Sequence, residues 1–235
     1  MVETIFHIGA HRCATTTFQR ALDRARRPLI RAGLMPWTPS VTREMMFDHL
    51  VRQPDVVDDA GDAAVARRIA NRRASIGHRG IVRLLVSEEN MIGTPRDNLG
   101  RAVLYPGLVP RLTRFARAFD GRVDRIGLVI RDYAAFWTSS IAFAVMAGHP
   151  VPDAAALARI ADQRRTWADV VHDVRQVFPD APLQVWTFDA FASRPRRQLG
   201  LRPATRPSAV PWDGRRTPRR SGPTAAATAI PCGRG

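Results

Sequence analysis

The chain contains no lysine: all 36 of its basic residues are arginine. So complete a replacement reads as codon bias in GC-rich DNA more than as selection of a binding face. Cysteine is nearly absent too. Cys13 and Cys232 stand at opposite ends of the chain, which excludes a disulfide framework and any Cys-x-x-Cys pair. No apolar stretch reaches the ~20 residues that a membrane-spanning helix requires. The longest candidate, Tyr133–His149, is interrupted by Thr138, Ser139 and Ser140. The apolar run Ile5–Ile8 is too short for the core of a secretory leader, so a soluble cytoplasmic protein is expected.

What is present suits one sizeable α/β domain: 235 residues, 45% of them apolar. A net charge of +15 ordinarily points to nucleic acid, but its distribution argues otherwise. Residues 194–235 carry 10 Arg against the single acid Asp213, or +9, and the first 193 residues carry only +6. The same C-terminal stretch holds 7 Pro and 5 Gly and loses apolar periodicity. It reads as a disordered tail foreign to the domain, even as an out-of-frame read of GC-rich sequence. The expected division is therefore 1–193 as domain and 194–235 as tail. Nucleic acid is expected to bind only non-specifically, through the tail.

Along residues 1–193 the pattern alternates between strands and helices. An opening strand ends at Ile8, and Thr15 to about Arg27 follows as a helix with Phe18, Ala21, Leu22 and Ala25 on one face. Gly33, Pro36 and Pro39 predict a loop, residues 41–53 a helix, Asp55–Asp62 an acidic turn, and Ala63–Ser75 an arginine-rich helix. Arg67, Arg68, Arg72 and Arg73 on that helix read as a solvated face. Ile81–Val86 is a buried strand running into Ser87-Glu-Glu-Asn90. A helix over Val109–Phe119, a strand over Val123–Ile130, an apolar and buried helix over 133–147, one or two helices over Asp153–Phe178 and a strand over Leu183–Phe188 complete the domain. The repeated alternation predicts a mainly parallel sheet with helices on both faces.

The candidate site begins in Ile5-Phe-His-Ile-Gly-Ala-His-Arg-Cys-Ala-Thr-Thr-Thr-Phe-Gln19, where a strand, a small-residue loop and three threonines open a helix. Backbone N–H groups converge at such a turn, and the helix dipole adds about half a positive charge, so an oxyanion is the natural ligand. Arg12 supplies a fixed charge. The glycine-rich loop closed by Lys-Ser/Thr that marks nucleotide hydrolases is absent. Two further features stand at strand ends, where open α/β sheets bind ligands: Ser87-Glu88-Glu89, and Arg131 with Ser139 eight residues on. Read alone, Arg131-Asp132 is a surface ion pair and the two glutamates are solvated acids. His7, His11 and Cys13 are too divergent for a metal site, and no metal is expected.

Taken together, these segments resemble the sulfotransferase family that uses 3′-phosphoadenosine-5′-phosphosulfate (PAPS). His7-Ile-Gly-Ala-His-Arg-Cys-Ala-Thr-Thr-Thr-Phe-Gln19 is similar to the family's 5′-phosphosulfate loop. Leu128-Val-Ile-Arg-Asp-Tyr-Ala-Ala-Phe-Trp-Thr-Ser139 is similar to its 3′-phosphate segment. The resemblance covers about residues 3–190 and implies a P-loop nucleoside triphosphate hydrolase-like α/β fold. It implies that the loop amides, those of Arg12, Cys13 and Ala14 among them, grip the 5′-phosphosulfate with the hydroxyls of Thr15, Thr16 and Thr17. Arg12 stands where the family has a lysine that steadies the leaving oxygen. Arg131 and Ser139 would hold the 3′-phosphate, and Glu89, with Glu88 as its alternative, would take the proton of a hydroxyl or amine acceptor. A like charge beside the base is expected to raise its pKa.

The chain departs from the family pattern at two loop positions. Arg12 is bulkier than lysine and planar. Ala14 replaces a common glycine and is strained by about 1–2 kcal/mol if its φ is positive. Gly214-Arg-Arg216 only faintly echoes the family's C-terminal nucleotide segment. Two other functions remain open at this point: a catalytically silent relative, and a small kinase-like nucleotide-binding enzyme.

Overall fold

A computed structural model of the chain describes residues 2–52 and 58–191. Strand β1 (Glu3–His7) leads through a loop to α1 (Thr15–Arg24) and α2 (Arg26–Arg31), then to β2 (Leu34–Trp37). A short α3 (Pro39–Val41), one π-helical turn (Thr42–Met46) and α4 (Asp48–Arg52) precede the long α5 (Asp59–His78). β3 (Arg83–Ser87), a 3-10 turn (Glu89–Met91), α6 (Pro95–Arg101) and α7 (Leu108–Ala118) follow. β4 (Arg125–Ile130) then leads to α8 (Tyr133–Met146), α9 (Ala154–Asp162), α10 (Trp167–Val177), β5 (Leu183–Thr187) and α11 (Phe188–Phe191).

The five strands form one parallel sheet in the order β2-β3-β1-β4-β5. β1 is central, with Ile5 opposite both Leu85 of β3 and Arg125 of β4. Its residues alternate between two apolar layers, as a strand buried on both faces requires. Phe6 joins Leu84, Val86 and the inward residues of α5, α7 and α10 in the larger core. Ile5 joins Leu85 and, from α1, Phe18 and Leu22 in a smaller one. Helices thus cover both faces, as the alternation predicts. Beyond β1 the chain turns toward β2, and beyond β4 toward β5. Diverging connections from neighbouring strands open a crevice at their carboxyl ends.

Several local expectations are corrected. Leu34–Trp37 is a strand, not a loop: β2 lies at the sheet edge and pairs on one side with β3, where Pro36 is tolerated. The first helix breaks at Ala25 (φ −89°, ψ 7°), three residues before Pro28. A proline ring clashes with the carbonyl four residues back, and Pro28 instead sits in the first turn of α2, where no N–H is needed. Residues 41–53 are not one helix but α3, a π-turn and α4. The apolar α8 is not buried. Only Phe136, Trp137 and Ser140 are enclosed, while Phe143, Val145 and Met146 are exposed. The expected tail, 194–235, lies outside the described residues.

Candidate functional site

The loop after β1 is carried to the carboxyl edge of the sheet by two further bonds to β4. Ile8 N–H donates to Gly127 O (2.9 Å) and Ala10 N–H to Val129 O (3.0 Å). Gly9 lies close under the loop: a Cβ there would fall 3.1 Å from Thr15 Oγ1 and 3.3 Å from the His7 ring. The chain then turns through two left-handed residues, Arg12 (φ 63°) and Ala14 (φ 60°). Ala14 is the N-cap of α1 and has no side chain able to accept from it. The amides of Thr15, Thr16 and Thr17 precede the first helical bond, Phe18 N–H to Ala14 O (3.1 Å). They form an uncapped N-terminus, which favours an anion. Thr15 is buried and its hydroxyl closes the loop on Ala10 O (3.4 Å); Thr16 and Thr17 are exposed. Cys13 is buried, and burial pushes its thiol up to about 12 against the pull of Arg131 and Arg12, so it offers the site only its backbone.

The structure brings Arg12, Arg131 and Ser139 together. Arg12 Nε donates to Ser139 Oγ (3.0 Å), and its guanidinium lies 4.8 Å from the centre of the Phe143 ring. Arg131 Nη1 donates to the Arg12 carbonyl (3.0 Å) while its guanidinium covers Phe188 at 4.3 Å. Asp132 does not pair with Arg131. It caps α8, accepting from Ala135 N–H (3.0 Å). Among the described residues neither arginine forms an ion pair with a carboxylate. Trp167, donating from Nε1 to Arg131 O (2.7 Å), pins the strand end in place.

Glu89 borders the same cleft and Glu88 does not. Glu88 is fully buried, held by Thr42 Oγ1 (2.6 Å), by Arg43 Nη2 (2.7 Å) and Nε (3.0 Å), and by Asn90 N–H (3.1 Å). Glu89 accepts from Gln19 Nε2 (2.7 Å) and Arg43 Nη2 (3.0 Å). Arg43 therefore bridges both carboxylates. Burial raises the pKa of Glu89. Its own backbone hydrogen bond, His11, Arg43 and Gln19 outweigh that, so the pKa is lowered. The rise expected from a neighbouring like charge does not occur, because a cation stands between the two. His11 is saturated. Its backbone N–H donates to Tyr105 OH (2.8 Å), that hydroxyl donates to Nδ1 (3.1 Å), and Nε2 donates to Asn90 Oδ1 (3.0 Å). Burial lowers its pKa, and both ring nitrogens are taken up by hydrogen bonds within the fold.

These groups line one cleft of about 380 Å³: His11, Arg12, Ala14, Thr15, Thr16, Thr17, Glu89, Arg131 and Ser139, closed by Pro95, Phe143 and Phe188. A larger groove of about 780 Å³ runs between α5 and α7 at the opposite, amino end of the strands and shares none of these residues. The chemistry concentrates in the smaller space. Among the described residues no three His, Cys, Asp or Glu side chains converge as metal ligands, His7, His11 and Cys13 included. Sequence reasoning missed Arg43 and Tyr105, and named Asn90 at the strand end without its contact to His11. Arg43 arrives on a π-turn, which has no readable apolar period, and Tyr105 comes from the α6–α7 connection. Gln19 was within the loop motif and gained its role only through its contact with Glu89.

Fold and site define an α/β protein with a cationic, hydroxyl-lined cleft at the carboxyl edge of a parallel sheet, faced by one carboxylate. No family model, curated protein or solved structure matches the chain.

Proposed function

We propose that the protein is a sulfotransferase of P-loop-like architecture, moving a sulfuryl group from PAPS to a hydroxyl or amine acceptor. The observation that carries this reading is the cleft itself. An uncapped helix N-terminus, two arginines that have no carboxylate partner among the described residues, and Thr16, Thr17 and Ser139 line a single small space with Glu89. Central β1 with its loop at a diverging strand pair also suits a P-loop-like chain.

The loop amides and threonines would hold the 5′-phosphosulfate, and Arg131 with Ser139 the 3′-phosphate. The acceptor oxygen or nitrogen attacks sulfur as the bond from sulfur to the bridging oxygen breaks. Glu89 receives the acceptor proton, and the sulfated acceptor and adenosine 3′,5′-bisphosphate leave. Such in-line transfer draws its rate from positioning and charge stabilisation. The test is a thermal-shift comparison of the bisphosphate with ATP and AMP. Adenosine 3′,5′-bisphosphate is expected to raise the melting temperature most, and Arg131→Ala to abolish that rise. No shift at millimolar bisphosphate in the wild type would reject the reading.

One observation favours a second reading, a relative that binds the donor without turnover. Glu89 is held ionised by Arg43 and Gln19 and is correspondingly weak as a base. Bisphosphate binding without sulfated product across a panel of hydroxyl and amine acceptors would select it.

A further inference from the structure

The side chain of Arg12 does not lie where its place in the loop suggests. With φ at 63° the residue turns its guanidinium out of the loop and across to α8, onto Ser139 and the face of Phe143. We infer that Arg12 is a specificity residue that reads the donor's 3′-phosphate together with Arg131 and Ser139, and does not steady the oxygen leaving sulfur. This rests on the donor reading above.

Three observations support the clamp. First, Arg12 Nε is engaged by Ser139 Oγ at 3.0 Å, which fixes the plane of the fork and leaves its two terminal nitrogens to pair bidentately with one phosphate. Second, Arg131 Nη1 is bonded at 3.0 Å to the carbonyl of Arg12 itself, so the second guanidinium is tied to the first through the backbone. Third, both cations stack on aromatic rings, Phe143 and Phe188, and neither has a carboxylate partner among the described residues. Two like charges lining one cleft repel each other, and a phosphate dianion between them reverses the sign of that interaction. Lysine could not do the same. One ammonium cannot both hold Ser139 through a fixed plane and present a parallel pair of donors. In this protein arginine at position 12 is thus a change of task.

The test is calorimetric titration of the full chain with adenosine 3′,5′-bisphosphate and with adenosine 5′-monophosphate, which differ only in the 3′-phosphate. Arg12→Ala is expected to weaken the bisphosphate by about tenfold or more, as loss of a charge-assisted pair does, and to change the monophosphate by less than about twofold. Ser139→Ala combined with Arg12→Ala should cost less than the two single losses multiplied together, because the pair acts as a unit. Arg12→Lys should recover only part of the discrimination. Equal weakening of both ligands by Arg12→Ala would overturn the inference and return Arg12 to the 5′ group. Full discrimination in Arg12→Lys would overturn the planar fork. A wild type that binds the bisphosphate no better than the monophosphate rejects the donor reading itself, before any variant is made. Arg12 is exposed, so its variants should fold, and unchanged melting temperatures without ligand check this.

Discussion

Ala14 stands in the loop after β1 at φ 60°, in a region where a Cβ is unwelcome. An alanine there is strained, by about 1–2 kcal/mol. Ala14→Gly should therefore stabilise the protein. Part of the gain is offset by the greater freedom of glycine in the unfolded chain. The expected net rise in melting temperature is about 2–4 °C, for roughly 1 kcal/mol in a chain of this size. His7 makes a second prediction at this scale. It is buried behind the loop with Nδ1 2.9 Å from Ser87 Oγ, and burial lowers its pKa to about 4. Unfolded, it binds its proton near the ordinary value of about 6.5. Between those values the unfolded chain holds the extra proton, so stability falls as pH drops from about 6.5 toward 4, by roughly 3 kcal/mol from this group. In urea titrations His7→Gln should lose that part of the acid slope, and its stability should converge on that of the wild type as the pH falls. Parallel curves for the two proteins would reject the assignment.

At the scale of elements, the π-turn Thr42–Met46 acts as a bracket for the end of β3. It places Thr42 and Arg43 on the buried carboxylate of Glu88 and extends Arg43 to Glu89. Such turns often mark functional positions. Removing the cation leaves Glu88 enclosed without its partner, and breaking a buried pair in this way costs about 3 kcal/mol or more. Arg43→Ala should show that loss in chemical denaturation. Adding Glu88→Gln should recover much of it, since a neutral amide no longer needs the guanidinium. If Arg43→Ala is as stable as the wild type, the bracket is unimportant. The neighbouring α8 shows the opposite relation between composition and setting. Tyr133 apart, ten of its 14 residues are apolar, yet it meets the core only through Phe136, Trp137 and Ser140. Its site-facing contribution is Ser139 and Phe143, which meet Arg12.

At the scale of the whole molecule, charge is divided unequally: +9 in residues 194–235 against +6 in the 193 before them. If nucleic acid is held only non-specifically by the basic tail, a gel-retardation assay should show binding by the full chain that weakens steeply with salt. A chain ending at Ser193 should lose that binding and keep the bisphosphate-induced thermal shift. Retention of DNA by the shortened chain would move the nucleic-acid surface into the domain. The sheet order explains why the site lies where it does. Three strand ends that are far apart in sequence, after β1, β3 and β4, are adjacent in space because β1 lies between the other two.

The strand and helix alternation, the small-residue loop after β1 and the polar strand ends that carry Glu89 and Arg131 into one cleft were legible in the sequence because each is local. Apolar period, small loop residues and polar strand ends are properties of neighbouring residues. The edge strand β2 was not legible, since Pro36 reads as a breaker until one knows that only one side of that strand is paired. Nor was the exposure of α8, because hydrophobicity does not say whether a surface will be covered. The choice between Glu88 and Glu89 needed the 3-10 turn after β3 and the π-turn together. The direction of the Arg12 side chain was decided furthest from the sequence. A left-handed backbone and a partner 127 residues away turn its charge onto Ser139. Sequence determined which chemical groups the protein possesses. Tertiary structure decided which of them meet, because a side chain's direction depends on backbone angles and long-range packing that no local pattern encodes.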